Sequence, residues 1–321
     1  MALRIVFCGT PAFAVPSFEY LLKESDFQIV GAVTQPDRPR GRGQQVHSSP
    51  VKDAALDAGI FVYQPESVKA DETYEHFRSL QPDAVVIIAY GQIIPSRLIA
   101  IPRLGWINLH ASLLPKYRGA APINWAILNG EEVTGVTTMQ IDAGLDTGPM
   151  LLQEVVEIHK DETAPELAAR LARAGAPLMA KTLREFSRGQ IIPVPQDHQK
   201  ATFAPPLKKE DGRIDWSLPP LRIYNQIRGL EPWPGAFTMF RGKRCRIWAR
   251  PASLAELRAV EGPAGASLPG TIEPLSSTVL VRSGASEGLR LEFIQMEGRK
   301  RVTAREFVNG TRLRPGERFD R

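Results

Sequence analysis

The sequence predicts an α/β fold in which a mostly parallel sheet with flanking helices is followed by a smaller all-β domain. Two observations lead to this prediction. In the first half of the chain, apolar runs rich in Val and Ile alternate with helical patterns, whereas beyond residue 207 short strand patterns are separated by Gly and Pro. A chain of 321 residues is long enough for two such domains, and 43% hydrophobic residues without a long apolar run indicate a globular protein rather than a membrane span.

The first domain is predicted to alternate strands with helices. The strands are Arg4–Cys8, Ile29–Thr34, Ile60–Tyr63, Ala84–Tyr90, Gly105–His110 and Val136–Ile141. The helices are Pro16–Glu24, Val51–Ala58 and Glu72–Leu80. Strands that alternate with helices pair in parallel through right-handed crossovers, which gives a Rossmann-like sheet. Because ligands of such sheets bind at the carboxyl ends of the strands, the ends at Tyr90 and His110 are candidate ligand positions.

A Pro-rich stretch divides the chain. Residues 163–188 read as a helix interrupted near Gly175 and Pro177, and residues 190–207 lack periodicity, which is typical of a linker. We therefore assign residues 1–189 to the first domain and 208–321 to the second. The second domain is predicted as a small β-barrel with a helix at Pro219–Gly229. Its strands are predicted at Ala236–Phe240, Lys243–Ala249, Gly270–Ile272, Thr278–Arg282 and Leu289–Met296.

The charge is distributed unevenly between the two domains. Residues 208–321 contain 21 basic and 13 acidic residues, a net of +8, whereas the rest contains 19 and 22, a net of −3. A basic second domain indicates a polyanionic partner, and the alternative is a solvated basic surface. Cys8 and Cys245 are far apart and show no metal-ligand spacing, so we expect neither a disulfide nor a zinc site. No signal or transit pattern precedes the first strand, so we expect a cytoplasmic protein.

Residues 105–119 carry the most informative chemical pattern. Asn108 and His110 are two apart in a predicted strand and share one face, and the loop containing Asp146 can return to that face. An amide, an imidazole and a carboxylate without a nucleophilic side chain suit acyl transfer to a nucleophile carried by the substrate. A carboxylate favours the imidazolium form of a neighbouring imidazole, and an imidazolium and an amide both donate hydrogen bonds to an oxyanion. The pattern alone leaves open that these are ordinary turn residues and a polar core histidine.

Further motifs accompany this pattern: Ser112–Pro115, Arg118-Gly119, Pro122–Trp125 and Asp142–Gly148. Together they resemble the formyltransferases that use 10-formyltetrahydrofolate. The similarity covers nearly the whole chain and includes residues 3–11, 35–43, 214–216 and 232–235. The arginine-containing segment 35–43 and the second domain narrow the resemblance to members that act on tRNA. It implies transfer of the formyl group of 10-formyltetrahydrofolate to the α-amine of methionine on initiator tRNA, for translation initiation, without a metal.

The resemblance also implies roles for individual residues. Asn108 and His110 would stabilise the oxyanion, His110 would also transfer a proton, and Asp146 would orient and charge His110. The residues implied for folate binding are Ser112, Leu113, Leu114 and Pro115, with Ile88, Ala89, Tyr90 and Gly91 lining the pterin pocket through their backbone. Leu113 and Leu114 also fit plain core packing.

Candidate tRNA contacts lie in both domains. Arg38, Arg40 and Arg42 alternate with Pro and Gly, which we expect to exclude a regular strand or helix and to produce an exposed, mobile loop. Arginine there can contact phosphates or unpaired bases. In the second domain, for which the resemblance implies an oligonucleotide-binding (OB)-like barrel, Arg244 and Arg246 belong to the basic cluster 241–246, and a further basic cluster is 299–301. Both clusters also fit a solvated surface. We expect a monomer from bacteria.

Other interpretations share part of this pattern. A formyltransferase acting on a glycinamide nucleotide or an amino sugar would use the same Asn108, His110 and Asp146, but would not need the arginine segment or a basic β domain. A formyltetrahydrofolate hydrolase would use water as the acceptor. A non-catalytic RNA- or folate-binding protein on the same scaffold would have no use for His110 and Asp146.

Overall fold

The computed structural model describes residues 2–40, 45–258, 268–276, 278–284, 287–314 and 316–320. The chain forms two compact units. Unit 1 comprises residues 1–122, 133–158 and 166–205, and unit 2 comprises 123–132, 159–165 and 206–321. Most of the segment 190–207, which we predicted as a linker, therefore packs within unit 1.

The strands of unit 1 are β1 (Leu3–Gly9), β2 (Phe27–Val33), β3 (Arg38–Arg40), β4 (Gln45–His47), β5 (Val62–Tyr63), β6 (Ala84–Ile88), β7 (Trp106–His110), β8 (Arg118–Gly119), β9 (Val133–Gln140), β10 (Met150–Glu157) and β11 (Phe203–Ala204). Those of unit 2 are β12 (Phe237–Phe240), β13 (Lys243–Pro251), β14 (Ile272–Pro274), β15 (Val279–Ser283), β16 (Glu287–Met296) and β17 (Val302–Thr303). The α-helices are α1 (Val15–Lys23), α2 (Pro50–Asp57), α3 (Asp71–Leu80), α4 (Ser96–Ile99), α5 (Pro122–Leu128), α6 (Ala164–Ser187), α7 (Pro220–Gly229), α8 (Leu254–Arg258) and α9 (Ala304–Thr311). Short 3-10 helices occupy Ala12–Ala14, His198–Lys200 and Lys209–Gly212.

Unit 1 is built on the predicted, mostly parallel sheet. Within the described residues its strand order is β10-β9-β7-β6-β1-β2-β5. The strands β5, β2, β1, β6 and β7 are parallel, β9 pairs antiparallel with β7, and β10 pairs antiparallel with β9. Every residue of the central strand β6 (sequence AVVII) is buried, as a strand covered on both faces requires. The α/β prediction is thereby confirmed.

The long helix α6 is continuous, so our expectation of a break near Gly175 and Pro177 was wrong. Proline in a helix interior costs about 3 kcal/mol, but α6 buries Leu167, Leu171 and Met179 along one face, and tertiary packing supplies most helix stability in proteins. A Cβ at Gly175 would overlap the side chain of Leu109 on β7. The glycine therefore permits close helix–sheet packing rather than a break.

Our expectation that residues 35–43 exclude a strand was also wrong in part. Arg38–Arg40 pairs antiparallel with Gln45–His47, and Pro39 lies opposite Val46. A two-stranded ribbon has two outer edges, so a proline is tolerated where its missing N–H faces outward. Arg38 is exposed on this hairpin, Arg40 lies in the same strand, and Arg42 falls outside the described residues.

Unit 2 is built on an antiparallel sheet. Among the described residues the strand order is β12-β13-β16-β15-β14, and β17 pairs with β16. Residues 318–320 bridge Met239 in β12 to Thr271 beside β14, which joins the two edges of the sheet. The helix α9 begins with a reciprocal capping box between Thr303 and Glu306. The β character of this domain is confirmed, whereas its likeness to an OB-fold stays a prediction.

No α-helix in the described ranges has the length and apolar character that a membrane crossing requires.

Candidate active site

The candidate site lies at the carboxyl ends of the parallel strands of unit 1. Chain progression reverses between β1 and β6, where Gly9 pairs with Ile88, and the next strand places Asn108 beside Ile87. Open α/β sheets bind ligands in the crevice at such a reversal. A Cβ on Gly9 would lie 2.9 Å from the Ala14 Cβ and 3.1 Å from the Ile88 carbonyl oxygen, so glycine keeps this turn tight.

The strand β7 positions Asn108 and His110 on one face, as the sequence predicts. Both side chains are largely buried, with 9% and 6% exposure. The His110 Nε2 lies 2.9 Å from the Tyr117 carbonyl oxygen. Because a carbonyl only accepts, Nε2 carries the hydrogen, and Nδ1 is the nitrogen left for chemistry. Among the described residues, the Asn108 amide has no hydrogen-bond partner, so its N–H groups are available to a ligand.

Asp146 reaches this face through a shaped loop. Its Oδ2 accepts a hydrogen bond from the Gly119 N–H at 2.9 Å and lies 3.7 Å from the His110 Nδ1. That separation suits a charge interaction but is too long for a hydrogen bond. Asp142 closes the start of the loop, where its Oδ1 accepts from the Gly144 N–H at 3.0 Å and the Thr147 hydroxyl at 2.7 Å. The structure therefore brings an amide, an imidazole and a carboxylate together.

The loop Ser112–Pro115 is fixed by bonds to neighbouring strands. Thr137 donates its hydroxyl to the Ser112 carbonyl at 2.6 Å and accepts from the Leu114 N–H at 3.1 Å. The Gln153 amide donates to the Leu114 carbonyl at 2.9 Å. Leu114 is buried, whereas Leu113 and Pro115 are half-buried. A Cβ on Gly135 would overlap Leu113, so that side chain packs closely on β9.

Residues 88–91 continue from the end of β6. Ala89 and Gly91 have φ angles of 48° and 92° and are exposed, while Ile88 and Tyr90 are buried. The Tyr90 carbonyl accepts from the Gln35 amide at 3.0 Å, and burial raises the pKa of the Tyr90 hydroxyl above its usual value. The turn thus exposes backbone at Ala89 and Gly91, and a side-chain contact fixes it at Tyr90.

The sequence analysis missed several residues that support the site. Thr137 and Gln153 anchor the loop after β7, and Gln196 donates from its amide to the carbonyls of Asp146 and Gly148, both at 2.8 Å. Gln153 lies in β10, which we did not predict. Gln196 lies in the Pro-rich stretch, where no periodicity marks a buried polar residue.

The predicted tRNA-contacting arginines of unit 2 lie on one face of β13. The Arg244 guanidinium lies 3.9 Å from the Phe237 ring centroid, and the Arg246 guanidinium lies 4.8 Å from that of Trp248. Arg246 also donates to the Glu231 carboxylate at 2.7 Å, whereas in the described structure Arg244 has no carboxylate partner. We call this surface the arginine–aromatic face: Phe237, Arg244, Arg246, Trp248, Phe293 and Arg301.

Both cysteines are buried and free. Burial raises the pKa of the Cys8 thiol well above its usual value and that of Cys245 to about 12. Each thiol therefore stays protonated at neutral pH and is a poor nucleophile. The chemistry available at the site is hydrogen-bond donation from Asn108 and proton exchange at His110 beside a carboxylate.

Comparison with known proteins identifies two family matches and close full-length relatives. The family described as "Formyl transferase" matches residues 3–183, and "Formyl transferase, C-terminal domain" matches residues 206–312. A methionyl-tRNA formyltransferase of Solibacter usitatus is 52% identical over 318 residues, which cover 99% of this chain and 98% of the relative. A methionyl-tRNA formyltransferase of Koribacter versatilis is 50% identical over 319 residues, covering 99% and 98%.

Solved structures share the fold. HypX from Aquifex aeolicus in complex with tetrahydrofolic acid has a TM-score of 0.63 at 17% identity, covering 97% of this chain and 48% of that chain. An N-formyltransferase from Helicobacter canadensis, in complex with folinic acid and dTDP-3-aminofucose, has a TM-score of 0.66 at 20% identity, covering 92% and 100%. At these identities the likeness extends to the fold and no further.

Proposed function

Because this chain belongs to the methionyl-tRNA formyltransferase family, we propose that it transfers the formyl group of 10-formyltetrahydrofolate to the α-amino group of methionyl-initiator tRNA. The product, N-formylmethionyl-tRNA, serves translation initiation in the bacterial cytoplasm. In the reaction the amine nitrogen bonds to the formyl carbon, the bond from that carbon to N10 of the folate breaks, the amine loses a proton and N10 gains one. The observation that carries the proposal is that Asn108, His110 and Asp146 lie together at the carboxyl ends of the parallel strands.

Asn108 has the role of hydrogen-bond donor to the oxyanion. Attack by the amine turns the formyl oxygen into an oxyanion, which needs hydrogen-bond donors fixed before the reaction. The Asn108 amide is largely buried and, within the described residues, unpartnered. An amide that no protein group engages is free to donate to a ligand oxygen without breaking an existing bond.

His110 has the role of proton carrier, through Nδ1. The Tyr117 carbonyl holds the hydrogen on Nε2, so the neutral ring presents the Nδ1 lone pair, which can accept the amine proton directly or through a water. The Asp146 carboxylate, 3.7 Å away, stabilises the imidazolium that results. Once protonated, Nδ1–H can also donate to the oxyanion or return the proton to the leaving N10.

The folate co-substrate fits the two turns at the same edge. Ser112–Pro115 and Ile88–Gly91 follow adjacent parallel strands, β7 and β6, so their backbones border one crevice. Thr137 and Gln153 fix the first turn, and Gln35 fixes the second. Tetrahydrofolic acid and folinic acid in the complexes of the two structural relatives support this choice of ligand class. No part of this scheme needs a metal.

Each unit carries basic residues that we assign to tRNA binding. Arg38 and Arg40 lie in β3, Arg42 follows them in the sequence outside the described residues, and Arg244 belongs to the arginine–aromatic face of unit 2. Arginine beside aromatic rings binds phosphates and can stack on bases. We assign Arg246 a smaller contribution to tRNA binding than Arg244, because its guanidinium is already paired with Glu231.

The test is formyl transfer onto charged initiator tRNA, run beside free methionine, an amino sugar and water as acceptors. We expect transfer only to the charged tRNA, and a loss of kcat on the order of 100- to 1,000-fold for Asn108→Ala, with folate binding retained. Asn129→Ala is the matched control, since it removes the same amide from a turn of unit 2. Equal transfer to an amino sugar or to water, or an unchanged rate in Asn108→Ala, would refute the proposal.

A further inference from the structure

Gln196 uses its whole side-chain amide to join two segments of the site. It is 5% exposed. Its Oε1 accepts from the Arg118 Nε at 3.0 Å and from the Arg118 Nη2 at 2.7 Å. Its Nε2 donates to the carbonyls of Asp146 and Gly148, both at 2.8 Å. An amide that makes two donor and two acceptor bonds in a buried place is held in one orientation.

These bonds link Gln196, Arg118–Gly119 and Asp146 into one closed hydrogen-bonded network that includes the Asp146 carboxylate. Gly119, next to Arg118, donates its N–H to the Asp146 Oδ2 at 2.9 Å. The strand Arg118–Gly119 is itself held by parallel pairing with Phe203–Ala204. The carboxylate is thus fixed from its own end by Gly119, and its backbone is fixed by Gln196.

The backbone at Asp146 needs such support. Its φ angle is 52°, in the left-handed region, which is uncommon for residues other than glycine although aspartate enters it more readily than most. A residue held there persists only when its surroundings fix it. Without the Gln196 donors, the carbonyls of Asp146 and Gly148 would lose those bonds, and the loop could relax.

We infer that Gln196 is a positioning residue for formyl transfer, which sets the Asp146 carboxylate at its working distance from the His110 Nδ1. This inference rests on the function proposed above. It assigns Gln196 no contact with substrate, so substitution should lower kcat and leave the KM for folate nearly unchanged. A misplacement of about 1 Å in a catalytic group can cost on the order of 100-fold in rate.

Gln196→Glu distinguishes the bonds that Gln196 accepts from Arg118 from the bonds that it donates to Asp146 and Gly148. A carboxylate still accepts from Arg118, which lies 3% exposed and bonds otherwise to the Nδ1 of His198. The same carboxylate has no N–H for the carbonyls of Asp146 and Gly148. Gln199→Glu makes the same chemical change three residues away, at an exposed side chain, and serves as the control.

The experiment measures single-turnover formylation of charged initiator tRNA, with enzyme in excess, for Gln196→Glu, Gln199→Glu, Asp146→Asn and the double variant Gln196→Glu/Asp146→Asn. We expect a loss of about 30- to 100-fold for Gln196→Glu and none for Gln199→Glu. In the Asp146→Asn background, Gln196→Glu should cost less than about threefold, because its effect passes through the lost charge. Equal losses in both backgrounds would mean a general structural role and would overturn the inference.

A second readout is independent of activity. The Gly119 amide should exchange with solvent slowly in the wild type and in Gln199→Glu, and faster in Gln196→Glu, at matched thermal stability. Unchanged Gly119 exchange and rate in Gln196→Glu, with Asp146→Asn impaired, would overturn this inference alone. Wild-type turnover in Asp146→Asn would instead overturn the catalytic assignment on which it rests.

Discussion

Replacing Asp146 by asparagine tests whether the charge of this carboxylate drives the reaction. The change keeps the shape of the side chain and an oxygen that can accept from the Gly119 N–H, so the loop should keep its fold. It removes the negative charge that lies 3.7 Å from the His110 Nδ1. If the reaction passes through an imidazolium, the variant loses the attraction between two unit charges at that moment.

The size of the loss follows from this distance. Two unit charges about 4 Å apart attract by about 4 kcal/mol at the effective dielectric constant of about 20 found near protein surfaces. Each loss of about 1.4 kcal/mol in transition-state stabilisation lowers the rate tenfold, which sets a limit of about 1,000-fold. The Asp146 side chain is 15% exposed, and solvent screening reduces the attraction. We therefore expect kcat to fall by about 100- to 1,000-fold.

The assay is single-turnover formylation beside equilibrium binding of a folate analogue. Asp142→Asn provides the control, because it removes a carboxylate charge from the same loop while leaving an acceptor for Gly144 and Thr147. We expect Asp142→Asn to keep its rate within about threefold, since its carboxylate caps the turn. A rate for Asp146→Asn within about threefold of wild type, or equal damage in both variants, would refute the charge argument.

Three further predictions concern other parts of the molecule. Arg244→Gln should weaken tRNA binding and reduce the slope of log affinity against log salt by about one, whereas Arg250→Gln, whose arginine is already paired with Glu292, should leave the slope unchanged. Gly175→Ala should lower the free energy of unfolding by about 1–3 kcal/mol through overpacking against Leu109. Gly310→Ala, in a helix with open space around it, should raise the free energy of unfolding by up to about 1 kcal/mol. Thermal unfolding measures both effects. Arg241 holds the pKa of the Glu317 carboxyl below its usual value, so this pair stabilises the fold above the unfolded-state pKa, and the stabilisation is lost as pH falls through the lower, folded-state pKa. Glu317→Gln should therefore cost up to about 1 kcal/mol at pH 7, and the difference from wild type should shrink as the pH is lowered in denaturant titrations.

The parallel sheet was predictable because its central strands are buried on both faces and therefore consist of unbroken runs such as Ala84–Ile88. The edge strand Met150–Glu157 was not, because Leu151 alone is fully buried along it and no alternation marks its faces. The hairpin at Arg38–Arg40 was missed because proline argues against a strand, although a two-stranded ribbon accepts it. The continuity of α6 through Pro177 was also not predicted, because local helix propensity opposes an internal proline and only tertiary packing offsets its cost.

The residues of the site also differ in how far the sequence predicts them. Asn108 and His110 could be placed together because two residues in one strand share a face by geometry. For Asp146 the strand pattern showed only that its loop could return to that face, and the family resemblance then selected this carboxylate, since a loop does not reveal its direction in the sequence. Gln196 carries no local signal, because its partners Arg118 and Asp146 are distant in the chain and its own segment has no period.

The pairing of Arg118–Gly119 with Phe203–Ala204 has a consequence for how the site comes into being. The two strands are more than 80 residues apart in the chain, and contacts between such distant segments form slowly because a long loop must close first. The family match for the first domain ends at residue 183, yet the strand beside Asp146 has its partner at 203–204. The setting of Asp146 therefore depends on residues that lie beyond the matched range of the first domain. A chain truncated after α6 would keep Asn108 and His110 in the sheet but would lack the groups that hold the Asp146 loop.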